Sequence, residues 1–302
     1  MTASVGEALR SATGWLRASG SRSPRLDAEL LLATALGVDR AELFRTPERV
    51  LTRIEERRFD GYVVRRQGRE PVAYIRGRRA FRTIELEVSP DVLIPRPETE
   101  TLVDVALEAL AAVPAEGGGI AGGRFEPLAL DVGTGSGCIA LALAAEDPFV
   151  HVVAVDVDEA AVKVARRNAA RLGLGARGDN ARGDLFAGLP PEQRFDVIVS
   201  NPPYVPAAEY EALEPNVREY EPRLALHGGE DGLDVYRRLV PAAALRLRPG
   251  GTLAVEAGAG QAASVRALFA GAGAFAPAQE RRDLGGIPRV VFAALAPTNP
   301  AS

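Results

Sequence analysis

Residues Leu128-Ala-Leu-Asp-Val-Gly-Thr-Gly-Ser-Gly137 form an apolar run that ends in a glycine-rich turn, and Cys138-Ile-Ala-Leu-Ala-Leu-Ala144 continues it as a helix-favouring segment. Glycines lack a Cβ atom, so the main chain can turn sharply there and approach a ligand closely. The spacing is Gly-x-Gly-x-Gly and does not match the dinucleotide spacing Gly-x-Gly-x-x-Gly, because position 138 is cysteine. A glycine turn alone also fits dinucleotide enzymes. We expect a nucleoside-type ligand to be held by Gly133, Thr134, Gly135, Ser136 and Gly137.

Apolar runs and helix-favouring segments alternate along the rest of this region. The apolar runs cover 128–132, 151–155, 195–199, 251–255 and 289–295, and the helical segments lie near 137–146, 159–172, 232–247 and 260–271. Such alternation is typical of strands joined by crossover helices. The sequence therefore predicts an α/β fold with a doubly wound, mainly parallel sheet.

Polar residues follow successive predicted strands. Asp156 ends the run 151–155, where a carboxylate can accept hydrogen bonds from a ribose diol. Asp184 comes before the strand at 195–199, and we interpret it as an adenine contact, with a solvated turn as the alternative. Together these strand ends predict one cavity for a nucleoside-sized ligand.

Asn201-Pro-Pro-Tyr204 follows the run 195–199. Each proline fixes its own φ, and Pro202 also restricts Asn201, so this backbone is largely set before a ligand arrives. The side-chain carbonyl of Asn201 and the main-chain carbonyl of Pro202 offer two acceptors, and the ring of Tyr204 can cover a planar group. We expect Asn201, Pro202, Pro203 and Tyr204 to bind a planar amino group, found in amides and in nucleobases. The alternative is an ordinary strand ending in a turn.

A nucleoside site beside an amine-binding loop predicts an S-adenosylmethionine methyltransferase, in which Asn201 serves both the cofactor and the acceptor. The main task of such a protein is to align nitrogen, methyl carbon and sulfur. Acceptors at Asn201 and Pro202 would favour positive charge developing on the nitrogen. No side-chain base is expected, because His151 and His227 are interpreted as structural or surface residues.

The chain resembles the HemK/PrmC family, the methyltransferases that modify the glutamine side-chain nitrogen in peptide release factors. Beside Asn201–Tyr204, the resemblance lies in six further blocks. They are Pro71-Val-Ala-Tyr-Ile-Arg-Gly77, Val92-Leu-Ile-Pro-Arg-Pro-Glu-Thr-Glu100, Tyr220-Glu-Pro222, Gly228-Gly-Glu-Asp-Gly-Leu233, Arg282-Asp-Leu-Gly-Gly-Ile287 and the glycine turn. The block that contains Ile94–Glu100 discriminates best from other amino-methyltransferases.

The resemblance implies methyl transfer from S-adenosylmethionine to N5 of the glutamine in the Gly-Gly-Gln motif of peptide chain release factors. It also implies an adenine contact at Leu185, where some members carry tryptophan. The chain departs from the family at Arg82-Thr83 and at Pro288. Two alternatives stay open: a ribosomal-protein glutamine or nucleic-acid adenine N6 methyltransferase with the same pocket, and a non-catalytic module that binds the cofactor and a partner.

Composition limits the other function classes. The 302 residues, 47% of them hydrophobic, are enough for two domains with sizeable cores. No apolar stretch approaches the roughly 18 residues of a membrane span, and the N-terminus lacks the pattern of a signal peptide. One cysteine leaves no internal disulfide or zinc cluster. We expect a cytoplasmic protein, a monomer without a metal, whose substrate is not nucleic acid.

Charged residues are unevenly distributed along the chain. Residues 1–80 hold 16 arginines and 10 acidic residues, a net charge of about +6, whereas the remainder carries about −10. Such asymmetry predicts a domain boundary and a partner surface. We expect a helical partner-recognition domain at 1–80, a hairpin linker at 81–98 and the methyltransferase domain at 99–302. The basic stretch Arg57 to Arg79 is either the partner surface or a solvated helical face.

Local sequence patterns predict the secondary structure of the first segment and of the linker. Helical spacing joins Leu26, Leu30, Leu31 and Ala35 on one face, and Ile54, Phe59, Val63 and Val64 on another. The run 81–88 alternates, which predicts a hairpin with 91–94. Arg96, Glu98, Thr99 and Glu100 would position the cofactor, cover the pocket, or cap the next helix. Residues 114–123 are expected to form a flexible loop.

Overall fold

The structure is a computed structural model in which residues 2–114 and 126–297 are described. The chain forms two compact units. One comprises Met1–Arg78 with Glu214–Tyr220, and the other comprises Arg79–Leu213 with Glu221–Ser302. The loop expected at 114–123 lies, apart from Pro114, outside the described residues.

The first unit is helical. It contains α1 (Val5–Ala18), α2 (Pro24–Leu36), α3 (Arg40–Arg45), α4 (Arg53–Gln67) and α5 (Val72–Arg76). Reciprocal hydrogen bonds between Ser4 and Glu7 begin α1, and the same arrangement of Thr52 and Glu55 begins α4. Gly37, in a left-handed conformation, ends α2.

The predicted helical faces in this unit are partly right. Buried as predicted are Leu31, Ala35, Phe59 and Val63, whereas Leu26, Ile54 and Val64 are exposed. Phe59 and Val63 are one turn apart on α4 and share a face. Rotation by about 100° per residue carries Ile54 and Val64 off that face.

The strands that form the hairpin differ from those predicted. Strand β1 (Arg78–Phe81) pairs with β2 (Ile84–Glu87). The prediction that 81–88 pairs with 91–94 was wrong, because Ser89 O accepts from Val92 N and closes a turn at Pro90. Arg82 forms the hairpin turn with φ 48°, and its guanidinium donates to Glu146 and Asp104.

The second unit is built on a seven-stranded sheet. Its strands are β3 (Leu128–Val132), β4 (His151–Asp156), β5 (Gly178–Arg182), β6 (Phe195–Ser200), β7 (Leu247–Glu256), β8 (Gln279–Arg282) and β9 (Pro288–Ala294). The strand order is β5-β4-β3-β6-β7-β9-β8. The first five of these strands are parallel, and β9 runs antiparallel to both β7 and β8. The predicted α/β fold with a mainly parallel sheet is confirmed.

Helices cover both faces of this sheet. They are α6 (Glu100–Ala111), α7 (Cys138–Glu146), α8 (Glu159–Arg171), α11 (Asp234–Ala244) and α12 (Ala262–Ala272). The short helix α9 (Ala207–Tyr210) follows β6 in the same unit, whereas α10 (Pro215–Arg218) belongs to the first unit. Alternate strand residues enter two cores: Ala129, Val197 and Val199 pack with α6 and α7, and Leu130, Ile198 and Leu253 pack with α11 and α12. The carboxyl ends of β3, β4 and β6 therefore lie side by side.

The described residues contain neither a candidate membrane span nor a candidate metal site. None of their helices has the length and apolar character required to cross a lipid bilayer. Within 2–114 and 126–297, histidine, cysteine, aspartate and glutamate side chains form no group that could hold a metal ion.

Candidate active site

A cavity of about 360 Å³ lies at the carboxyl ends of β3, β4 and β6. Most of the residues predicted for the site line it: Gly133, Thr134, Gly135, Ser136, Asp156, Asp184, Leu185, Asn201, Pro202 and Pro203. Gly137 and Tyr204 are not among the lining residues. The structure thus brings together the two ends of the predicted site, the glycine turn and the Asn-Pro-Pro loop.

The glycine turn leaves open space on the cavity side. Gly133 and Gly135 have φ of 76° and 55°, and a Cβ atom added at either one would meet no atom within 4 Å. Gly137 is required for a different reason. A Cβ there would lie 3.0 Å from Cδ1 of Leu141 and 3.3 Å from Cβ of Ala165, so this glycine permits close helix packing.

Asp156 ends β4 and orders the turn. Its Oδ2 accepts a hydrogen bond from Gly135 N at 2.9 Å, and its Oδ1 accepts one from Asp158 N at 3.0 Å. Burial raises the pKa of the Asp156 carboxyl group, and the backbone donors oppose that shift. Each carboxylate oxygen keeps a second lone pair, so Asp156 can still accept hydrogen bonds from ligand hydroxyls.

Asp184 and Leu185 form another part of the cavity wall, just after β5. Oδ2 of Asp184 accepts from Nη2 of Arg238 at 2.6 Å, and both side chains are about half exposed. Leu185 has a left-handed backbone with φ 55°, which is uncommon for a residue with a branched side chain. Leu185 directly follows Asp184 in the sequence, and both residues line the cavity.

Asn201 is anchored at the end of β6. Its Nδ2 donates to Oγ1 of Thr99 at 3.2 Å. The preceding residue, Ser200, donates its hydroxyl to Val132 O at 2.7 Å and so joins β6 to β3. Since the Asn201 amide nitrogen is engaged, its Oδ1 is the atom available to a ligand in the cavity.

Tyr204 is held by its main chain. Nε2 of Gln261 donates to Tyr204 O at 2.9 Å, and burial raises the pKa of the phenol to about 12. The hydroxyl therefore stays protonated at neutral pH. The ring packs against the core formed with α11 and α12.

Comparison with known proteins gives the family. Residues 7–77 match the PrmC N-terminal domain, and residues 122–219 match the methyltransferase small domain. A relative from Geobacter sulfurreducens is 46% identical over 278 residues, 92% of each chain. A second, from Koribacter versatilis, is 44% identical over 94% of this chain and 96% of its own. Both are named release factor glutamine methyltransferase. The chain belongs to the release factor glutamine methyltransferase family.

The resemblance to the HemK/PrmC family is therefore confirmed. A solved structure of a methyltransferase from Pyrococcus furiosus superposes with a TM-score of 0.50 over 77% of this chain and 98% of its own, at 22% identity. That likeness supports the fold of the second unit.

Arg96, which the sequence predicted to position the cofactor or cover the pocket, meets Glu221, for which the sequence predicted no role in the site. Nη2 of Arg96, which lines the cavity, donates to Oε1 of Glu221 at 2.6 Å, and Glu221 Oε2 accepts from Ile94 N at 3.3 Å. Burial raises the pKa of Glu221, and Arg96 opposes the shift. Residues 92–100 and 220–222 are two of the sequence blocks that resemble the HemK/PrmC family, but only the fold shows that they contact each other.

Asp131 and Asn168 support the glycine turn from behind. Oδ2 of Asp131 accepts from Thr134 Oγ1 at 2.7 Å and from Ala140 N at 3.2 Å. Burial raises the pKa of Asp131 to about 7. Nδ2 of Asn168 donates to Ser136 O at 2.9 Å. The sequence shows an acidic residue at position 131, but it does not show that the side chain hydrogen-bonds with the glycine turn.

Glu256 is a buried carboxyl group close to the Asn201 loop. Burial raises its pKa to about 7, and a hydrogen bond with the Thr99 side chain and the charge of Arg289 oppose that shift. It ends β7, beside β6, and the residue is 1% exposed. The only sign of this residue in the sequence is that Glu256 directly follows the apolar run 251–255.

Proposed function

We propose that this chain transfers a methyl group from S-adenosylmethionine to the side-chain amide nitrogen of the glutamine in the Gly-Gly-Gln motif of peptide chain release factors. The observation that carries the proposal is that the Asn201 carbonyl and the open glycine turn face one cavity. Family membership supports the choice of acceptor.

The residues of the cavity fit the proposed cofactor. Main chain at Gly133 and Gly135 faces open space in which a ligand can approach closely. Asp156 keeps acceptor capacity for a ribose diol. Leu185 offers an apolar contact for adenine, and Oδ1 of Asp184 can accept from its amino group. When bound, S-adenosylmethionine supplies a methyl group that its sulfonium has already activated.

The chain orients the acceptor nitrogen. An amide nitrogen is a poor nucleophile because its lone pair is delocalised into the carbonyl. We assign Oδ1 of Asn201 and the main-chain oxygen of Pro202 as acceptors for its two N–H groups, which stabilise positive charge as it develops on nitrogen. Pro203 keeps this loop rigid, and Tyr204 supports the loop from the core beside α11 and α12.

The histidines are not assigned a catalytic role. His151 begins β4, with Nε2 3.4 Å from Asp179, and His227 packs edge-on against Tyr210. Neither residue lines the cavity. We assign the loss of the amide proton, after methyl transfer, to water.

We propose that the first unit recognises the protein substrate. Its arginine excess supports this, but the structure narrows the candidates. Arg65 donates twice to Glu70, and Arg66 pairs with the buried Asp27 at 2.8 Å. Within the described residues Arg69 forms no ion pair, and it lines a cavity of about 270 Å³ in this unit. Of these three arginines we therefore choose Arg69 as the proposed partner contact. A release factor substrate also places the protein in the cytoplasm.

The test uses intact release factor and cofactor labelled in the methyl group. Mass spectrometry should locate the label on the glutamine of Gly-Gly-Gln. A release factor with that glutamine replaced by glutamate is the control and should stay unlabelled. Label on a ribosomal protein or on adenine of added nucleic acid, with none on release factor, would contradict the proposal.

A further inference from the structure

Thr99 lines the cavity and holds the side chain of Asn201 in place. Nδ2 of Asn201 donates to Oγ1 of Thr99 at 3.2 Å. Thr99 is 2% exposed and ends the 3-10 helix Pro97–Thr99, directly before α6. A threonine at a helix start commonly caps the first turn, yet this side chain makes no capping hydrogen bond. The hydroxyl is directed to Asn201 instead.

Glu256 is a neighbour of that hydroxyl, because the Thr99 side chain lowers the pKa of the Glu256 carboxyl group. A carboxylate can only accept hydrogen bonds, and a hydroxyl has one proton to give. Thr99 accepts a hydrogen bond from Asn201, which leaves its own hydroxyl proton for the neighbouring Glu256 carboxylate.

This direction decides which end of the Asn201 amide faces the cavity. The NH2 end must point to Thr99, so the carbonyl end is left for the acceptor nitrogen. We propose that Thr99 and Glu256 are positioning residues, which keep Oδ1 of Asn201 directed at the amino group of the substrate. This inference rests on the proposed function of the cavity.

The burial of Glu256 supports a functional reason for its presence. Within the described residues its Oε2 atom has no hydrogen-bond partner. Burying an unpaired carboxylate oxygen destabilises a fold. Stability alone therefore does not favour glutamate at this position, whereas a fixed acceptor behind Thr99 does.

The test compares two substitutions at Thr99 in single-turnover methylation of release factor. Thr99→Val keeps the branched shape and removes the hydroxyl, and Thr99→Ser keeps the hydroxyl. Thr99→Val should lower the transfer rate about tenfold with little change in cofactor Kd, and Thr99→Ser should stay within about threefold of the parent. Thr101→Val, the same change two residues along, is the matched control and should retain the parental rate.

A double-mutant cycle distinguishes positioning from a general packing effect. If Thr99 acts through Asn201, Thr99→Val should add almost nothing to the loss caused by Asn201→Ala. A further tenfold loss in that background would overturn the inference. So would a Thr99→Ser rate as low as that of Thr99→Val.

Two other results are decisive. A parent enzyme that leaves the release factor glutamine unmodified overturns both the proposed function and the positioning role of Thr99 and Glu256. An active parent with Thr99→Val at the parental rate overturns the positioning role alone. If Thr99→Val does not fold, Glu256→Leu replaces it: a rate about tenfold lower supports the positioning role, and a parental rate overturns it.

Discussion

The two ends of the cavity are built in different ways. At the cofactor end, the glycine turn is formed by residues 133–137 and the strand ends beside it, and Asp156 is 21 residues from its partner Gly135. At the acceptor end, Asn201 is oriented by Thr99, which is 102 residues away in the sequence. The cofactor end is therefore encoded within one βαβ unit, whereas the acceptor end depends on distant parts of the chain.

This difference predicts separable defects. Changes at the glycine turn and Asp156 should alter cofactor affinity. Changes at Asn201 and Thr99 should alter the rate of methyl transfer, because we propose that the acceptor end stabilises charge that develops only in the transition state.

The largest effect is expected at Asn201. Asn201→Ala removes the orienting carbonyl and should lower the single-turnover rate by about a hundredfold or more. Circular dichroism and thermal unfolding should stay near parental, because the Ser200 hydrogen bond to Val132 still joins β6 to β3. Near-parental turnover would remove Asn201 from the chemistry.

The next effect concerns the cofactor end. Asp156→Ala should weaken cofactor binding by about 1.5–3 kcal/mol in calorimetry, because it removes a charged acceptor for the ribose and the anchor of Gly135 N. Asp184→Ala is the comparison variant. Since Asp184 is half exposed and paired with Arg238, its loss should cost less than about 1 kcal/mol. Equal losses for the two variants would contradict the proposed division of roles.

The pH dependence of transfer tests Glu256. Charged and titratable neighbours act on or are affected by this carboxyl group: Arg96, Glu98, Cys138, Tyr204, Tyr236 and Arg289. Burial raises the pKa of Glu256 to about 7, so the accepting, ionised form prevails above that pH. The transfer rate should therefore fall as pH drops through about 7, and Glu256→Gln should remove that inflection. An unchanged inflection in Glu256→Gln would assign it to another group.

The same shift has a consequence for stability. Because the folded-state pKa of Glu256 is raised, its contribution to stability is present below the unfolded value and is lost as pH rises through about 7. Thermal unfolding should accordingly show Glu256→Gln gaining stability over the parent at pH 8 more than at pH 5.

The smallest effect is expected in the first unit. Arg69→Glu should slow methylation of intact release factor about threefold at low salt and reduce its salt sensitivity, without affecting a short Gly-Gly-Gln peptide. Arg10→Glu makes the same charge change elsewhere in this unit and is the control. Equal rates for both variants and the parent would leave this unit without an electrostatic role.

The fold was largely predictable because central strands are apolar runs. The five predicted runs coincide with β3, β4, β6, β7 and β9. The edge strands β5 and β8 have the polar sequences Gly178-Asp-Asn-Ala-Arg182 and Gln279-Glu-Arg-Arg282, so hydrophobic periodicity does not mark them. The hairpin partner was wrong because a turn at Pro90 prevents residues 91–94 from pairing.

The candidate site was predictable where a motif carries its own geometry. The glycine turn and the Asn-Pro-Pro loop are such motifs, and both line the cavity. The supporting pairs Arg96–Glu221 and Asn201–Thr99 join residues that are 125 and 102 positions apart. Each pair forms only when the chain folds, so no local pattern in the sequence reveals it.

The most direct test of the two-ended cavity is a cofactor titration of the single-turnover rate in Asp156→Ala and Asn201→Ala. Asp156→Ala should need more cofactor yet reach the parental plateau, because its acceptor end is intact. Asn201→Ala should saturate near the parental concentration at a plateau about a hundredfold lower. If both variants shift midpoint and plateau together, the two ends do not act separately and the account is wrong.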